Sequence, residues 1–158
     1  MTVATGIGYD RHRFAAGRRL VLGGVEIAHE AGLVGHSDAD VLTHAIIDAL
    51  LGAAGLGDIG EHFPDRDERY RDADSLELLR RTVALLTLHG VLVRHIDTTV
   101  MIERPHVAPF RERIRNSLAE AVGIAPEHVS VKATRGEGMG FVGREEGAAA
   151  LAVATVER

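Results

Sequence analysis

The sequence contains no cysteine, which excludes both a disulfide framework and a thiolate metal site. Positive charge is also short. Lysine and arginine number 18 against 23 aspartates and glutamates, a formal net charge of −5. A nucleic-acid binder would show a basic face instead. No uncharged apolar run is long enough to span a bilayer, since the best stretch, Ala45 to Leu56, is interrupted by Asp48. The N-terminus lacks the charged, apolar and small-residue regions of a signal peptide. A cytoplasmic enzyme with neither a nucleic-acid nor a membrane partner is therefore expected. There is no internal repeat and no low-complexity tract; Ala148-Ala149-Ala150 reads as a tightly packed strand.

What is present suits one globular domain over residues 1–158. Hydrophobic residues make up 46% and charged residues 26%, enough for one core in a chain of this length. Gly6 to Phe14 reads as a first strand. Gly23-Gly24 between Leu20–Leu22 and Val25–Ile27 signals a hairpin. Gly32 to His36 reads as a loop. Ser37 with Asp40 three residues on has the form of a capping box, opening a helix to about Ala54. Gly57 to Ala73, rich in glycine and charge, reads as a long loop that orders on ligand binding. A second helix starts at Asp74-Ser75 and ends at Gly90, and a third runs from Pro109 to Val122. Leu92–Ile102, Val129–Thr134 and Ala148–Val156 read as strands. The fold class is α/β (α+β): a single layer of helices on one face of a mixed sheet, with a small hairpin. The other face needs cover, and self-association through it is expected.

The most informative local pattern is Asp10-Arg11-His12, then His36-Ser37-Asp38-Ala39-Asp40, then His44. Residues two apart on a strand point the same way, so Asp10 and His12 converge on one point. His44 lies in the first apolar helix, one turn of which brings it to the strand end. Two imidazoles and a carboxylate are three borderline ligands; three protein ligands with a fourth position open are the pattern of a working zinc site. On spacing alone a surface turn with a satisfied histidine remains the other reading.

Further motifs stand apart along the chain: Leu56-Gly57-Asp58-Ile59-Gly60 with Phe63-Pro64-Asp65, then Lys132-Ala133-Thr134-Arg135-Gly136-Glu137-Gly138-Met139-Gly140-Phe141, then Gly143-Arg144-Glu145-Glu146-Gly147. With the opening Gly-Tyr-Asp-Arg-His and the His-Ser-Asp-Ala-Asp segment, this ordered set closely resembles the 2-C-methyl-D-erythritol 2,4-cyclodiphosphate synthases of the non-mevalonate isoprenoid pathway, from about Ile7 to the last strand.

The resemblance implies a metal-dependent phosphorus–oxygen lyase that converts 4-diphosphocytidyl-2-C-methyl-D-erythritol 2-phosphate to the cyclodiphosphate and releases CMP. It implies a homotrimer whose sheets face the axis, with active sites between subunits. It makes Asp10, His12 and His44 zinc ligands that also meet substrate phosphate, and Glu137 the ligand of Mg²⁺ or Mn²⁺ shared with substrate phosphates. His36 and Ser37 become phosphate contacts, with Ser37 doubling as helix cap, and Asp40 a cap partner or support for the ligating histidine. Asp58, Gly60, Phe63 and Asp65 hold the methylerythritol part. Ile102, Pro105, His106, Val107 and Ala108 hold the cytosine, with His106 where a lysine is usual. Thr134 and Arg135 form the phosphate turn, with Arg135 in place of a hydroxyl residue; these two and His36 are the candidate catalytic groups. Arg135 is expected to face the diphosphate of bound substrate, a bidentate donor replacing the missing hydroxyl. Phe141, Arg144 and Glu146 lie near the axis, where the family can hold an isoprenoid diphosphate, and Glu145 adds negative charge there. Two other readings are a non-catalytic trimeric phosphate- or nucleotide-binding module and a different metal-dependent phosphohydrolase.

Overall fold

Glycines in the first strand set how closely helix and sheet approach. In a computed structural model covering residues 1–158, strand β1 (Val3–Ala16) lies against helix α1 (Val41–Ala54). A Cβ on Gly6 would stand 2.1 Å from the Ala49 carbonyl oxygen, and one on Gly8 1.8 Å from that of Ala45. Only glycine leaves room for such contact. Even-numbered residues of β1 thus face α1, and Asp10 and His12 continue that row. The alternate row faces away, leaving Ile7 71% and Tyr9 45% exposed.

The main sheet is completed by β4 (Ala31–Val34), β5 (Leu92–Met101), β6 (Val129–Thr134) and β7 (Gly147–Glu157), in the order β4-β1-β7-β5-β6. Every pairing is antiparallel except β5 with β6. In β7, Ala148, Ala150, Ala152 and Ala154 are buried while Leu151 and Val153 are exposed, so its small residues meet the same helix layer as the β1 glycines. β2 (Leu20–Leu22) and β3 (Val25–Ile27) form the separate hairpin read from Gly23-Gly24. Helices α3 (Ser75–Leu88) and α4 (Arg111–Val122) extend the helical layer. The core is one cluster of 36 buried residues.

Several boundaries differ from the sequence reading. β1 is longer than Gly6–Phe14, and the expected loop at Gly32–His36 overlaps β4, too short to show a period of two. The Gly57–Ala73 stretch holds α2 (Ile59–His62) and a 3₁₀ turn at Glu68–Tyr70. Pro109 belongs to a 3₁₀ turn, Ala108–Phe110, and α4 begins at Arg111. A short α5 (Gly140–Gly143) forms within a glycine-rich segment that carries no helical signal.

The cap of α1 is corrected most. Ser37 is not its N-cap, because Ala39 has a positive φ of 57° and interrupts the helix before Asp40. Asp40 caps instead, accepting from the Thr43 N–H at 3.0 Å and its hydroxyl at 2.8 Å. The same fully buried carboxylate accepts the N–H groups of Gly23 at 2.9 Å and Gly24 at 2.7 Å. It is the bolt between α1 and the hairpin. Asp40→Ala strands those donors in the core, so chemical denaturation should show a loss of about 3 kcal/mol or more; a loss under half of that would mean that water replaces the carboxylate.

Candidate metal centre and the adjoining cavities

The close approach of α1 carries His44 onto the row of Asp10 and His12. Asp10 Oδ2 lies 2.7 Å from His12 Nε2 and 3.1 Å from His44 Nδ1. The two ring nitrogens are 3.3 Å apart, and one ligand atom from each residue lies within 4.8 Å of the others. Two nitrogens bound to one tetrahedral ion at about 2.0–2.1 Å sit about 3.3 Å apart. The two imidazoles already have that spacing, and Asp10, 2.7 Å from His12, needs only a small outward shift for the three to share a small divalent ion.

The outer nitrogens of both rings are engaged. His12 Nδ1 donates to the Val34 carbonyl at 3.0 Å, which leaves Nε2 bare toward the centre. His44 Nε2 lies 2.8 Å from Ser75 Oγ and 3.1 Å from Ser37 Oγ. Burial opposes the charge of Asp10, but with the rings in their protonated, metal-free form the hydrogen bonds from His12 and His44, and their charges, hold its carboxyl well below the usual range. Burial likewise opposes a charge on His44, and Asp10, through its hydrogen bond and its charge, then Asp40 and Asp38, raise its pKa above the ordinary value.

The cluster opens into a cavity of about 280 Å³. His36 and Ser37 line one side; Ile59, Gly60, Phe63, Asp65 and Tyr70 line the other. His36 Nε2 donates to the Asp67 carbonyl at 3.0 Å. Asp48, one turn beyond His44 on α1, accepts the Ile59 N–H at 2.7 Å and so anchors α2 beside the centre; burial raises the pKa of its carboxyl. Asp58 does not line this cavity. It is exposed and caps α2, accepting from Glu61 N–H at 3.0 Å.

A second cavity, of about 170 Å³, brings Ile102, Pro105, His106, Val107 and Ala108 together with Thr134 and Arg135. Here Glu103 supplies what the sequence did not suggest. Its carboxylate accepts the Gly136 N–H at 2.7 Å and pairs with Arg135 at 3.1 Å. Burial opposes its charge, but Gly136 and Arg135 hold it below the usual range. Glu137 is exposed at φ 53° and lines neither cavity.

A third, open cavity of about 610 Å³ takes in Arg11 and Arg13 of the uncovered face with Phe141 and Glu146, and reaches Asp10, His12 and Asp65. Arg144 is outside it, paired with Glu146 at 2.6 Å. Sequence reasoning missed Ser75, Asp48, Tyr70 and Glu103 as parts of these sites. Ser75 carried a signal only as a helix opener, and the other three carried none.

Comparison with known proteins agrees with the geometry. The model of the YgbB family matches residues 3–157. The chain is 60% identical over 156 residues to a bifunctional enzyme IspD/IspF of Anaeromyxobacter dehalogenans, covering 99% of this chain and 40% of that one. It is 54% identical over 152 residues to the 2-C-methyl-D-erythritol 2,4-cyclodiphosphate synthase of Salinibacter ruber, covering 96% of this chain and 97% of the relative. A solved structure of IspF from Plasmodium falciparum in complex with CDP superposes with a TM-score of 0.85 at 28% identity, covering 98% of this chain and 95% of that one. The chain thus spans 40% of the bifunctional relative and nearly the full length of the single-function one.

Proposed function

The chain belongs to the YgbB family, and from that premise we propose that it converts 4-diphosphocytidyl-2-C-methyl-D-erythritol 2-phosphate to 2-C-methyl-D-erythritol 2,4-cyclodiphosphate with release of CMP. The observation that carries the proposal is the Asp10–His12–His44 cluster opening into a cavity lined by His36 and Ser37. The attacking group is a phosphate oxygen already on the substrate. It forms a bond to the distal phosphorus of the diphosphate as the bond to CMP breaks. No strong base is needed, and the protein's task is to align the groups and offset their charge.

Asp10, His12 and His44 would hold a divalent ion, which we take to be zinc; when bound it would supply Lewis-acid polarisation of a phosphate oxygen. Ser37 accepts the shared His44 proton, which frees its own hydroxyl hydrogen for a phosphate. His36 is oriented toward the same cavity by Asp67. Gly60, Phe63 and Asp65 receive the methylerythritol part, with Asp58 joining them when α2 shifts. The second cavity receives the cytidine, with Pro105 to Ala108 as its floor and Thr134 at the phosphate. Glu137 would serve a Mg²⁺ or Mn²⁺ ion brought with the substrate phosphates.

The two cavities share no lining residue. A substrate reaching both is accommodated when the cytidine cavity of one copy meets the metal centre of the next, and the uncovered face with Ile7, Tyr9, Leu151 and Val153 offers the contact. This supports a homotrimer; a monomer mass by light scattering at micromolar concentration would remove it. Phe141, Arg11 and Arg13 would then border an axial space suited to an isoprenoid diphosphate, with Arg144 joining once released from Glu146. A charged, nucleotide-linked substrate supports a cytoplasmic location.

Incubation of the pure protein with the substrate should release CMP and the cyclic product together, followed by chromatography. Free inorganic phosphate instead would indicate a phosphohydrolase; no turnover of a bound nucleotide would indicate a binding module.

Arg135 enters this scheme with a competitor. To meet a phosphate it must exchange the Glu103 carboxylate for another anion, and it is half exposed, so the net gain is modest. Arg135→Ala should lower kcat/KM by about tenfold, or about 1.4 kcal/mol, with metal content unchanged. Unaltered kinetics would leave Arg135 as the partner of Glu103 alone.

A further inference from the structure

Behind His44, away from the cavity, lies a chain of polar groups that the proposed reaction does not use. Ser75 is fully buried, so no ligand in the cavity can touch it. Its hydroxyl nevertheless lies 2.8 Å from His44 Nε2, and it also contacts Asp38 Oδ1. Asp38 is a pure acceptor here. Its Oδ2 takes the Ser75 N–H at 3.0 Å, and its Oδ1 takes the Asp40 N–H at 3.1 Å. With two backbone donors already bound, the carboxylate can only accept from the Ser75 hydroxyl. The Ser75 oxygen then presents lone pairs to His44, so Nε2 must carry the hydrogen. In the neutral ring that binds a metal, that leaves Nδ1, the atom facing Asp10, bare.

We propose that Asp38 and Ser75 are positioning residues that set the tautomer and ring orientation of His44 for metal binding, acting as one relay. The inference rests on the metal reading of Asp10, His12 and His44 given above. The relay is assembled from distant parts of the chain: Asp38 precedes α1 and Ser75 opens α3. The same contact region is stitched by Asp38 N–H to the Ala73 carbonyl at 3.1 Å and by Asp72 N–H to the His36 carbonyl at 2.8 Å. The ring is therefore held by the segment that also walls the cavity. A hydroxyl or carboxylate behind a ligating imidazole typically changes metal affinity 10–100-fold.

The test is zinc affinity, measured on the full chain by competition with a chromophoric chelator. Ser75→Ala should weaken zinc binding by about 10–100-fold. Its fold should persist, because Asp74 remains the cap of α3, accepting from the Leu76 N–H. Ser75→Thr keeps the hydroxyl and should restore affinity. Asp38→Asn should weaken binding similarly, and the double variant should be no weaker than the worse single one, because both break one chain. Zinc affinity unchanged in Ser75→Ala, or additive losses in the double variant, would overturn the relay while leaving the metal centre in place. A loss of thermal stability without a loss of affinity would do the same. If Asp38→Asn does not fold, Ser75→Ala and Ser75→Thr decide. Wild-type protein that binds no zinc would overturn the metal reading and the relay together.

Discussion

Replacing His44 with alanine is expected to yield a folded protein with little bound metal and a turnover lowered about a thousandfold or more. His44 is the only member of the cluster that comes from α1; Asp10 and His12 lie two residues apart on β1. Without it, two ligands on one strand remain, and a site of two ligands holds a borderline divalent ion poorly. Loss of Lewis-acid polarisation at a transferring phosphate removes several kcal/mol of transition-state stabilisation, and each 1.4 kcal/mol is about tenfold in rate. The fold should survive, because α1 is fastened by its apolar residues and by Asp40, neither of which depends on the imidazole. Elemental analysis beside kinetics decides the matter. Full metal content in a folded His44→Ala protein would remove this residue from the ligand set.

Gly8→Ala is expected to be nearly as damaging by a wholly different route. The added methyl would sit 1.8 Å from the Ala45 carbonyl oxygen and 2.8 Å from the Ala49 backbone nitrogen. Backbone cannot yield as a flexible side chain can, so α1 must move off the sheet. Overpacking of this kind costs about 3 kcal/mol or more. Lifting α1 also carries His44 away from Asp10 and His12, so metal affinity should fall with stability. Gly52, on the same helix, is the matching control: a Cβ there meets nothing within 4 Å. Gly52→Ala should leave metal binding intact and raise stability by about 0.5–1 kcal/mol. Equal stability of the Gly8→Ala protein and wild type in urea would refute the close-contact argument.

Much of this was readable before any coordinates. Asp10 and His12 share a strand face because of the period of two, and His44 follows from helical spacing. Gly23-Gly24 announced its hairpin through turn chemistry. The roles of Ile102 to Ala108 and of Thr134 and Arg135 came from the resemblance, and the parallel pairing of β5 with β6 is what brings the two segments together. The missed features are those that depend on partners far along the chain. Nothing around Asp40 shows that its carboxylate reaches back to Gly23 and Gly24, and nothing around Ser75 shows that it backs His44. Ser37 resembled a helix cap because a hydroxyl residue stood three positions before an acid, yet the positive φ of Ala39 turned it toward the metal centre. Arg135 looked free for a phosphate because Glu103 lies 32 residues away. Hydrogen bonds of this range leave no periodic trace.

The strand order has a consequence for how such a chain is made. β7 follows the other six strands in chain order, yet it sits between β1 and β5. Before Gly147 emerges, β1 can pair only with β4, and β5 only with β6. These two ribbons share no edge. Pairing that waits on the most distant segment is slow and exposes unpaired edges in the interim. All three candidate metal ligands have been translated by His44, but the cross-strand partners of Asp10 and His12 are Ala150 and Ala148 on β7. The residues proposed to hold an ion are thus translated well before the strand that pairs with theirs.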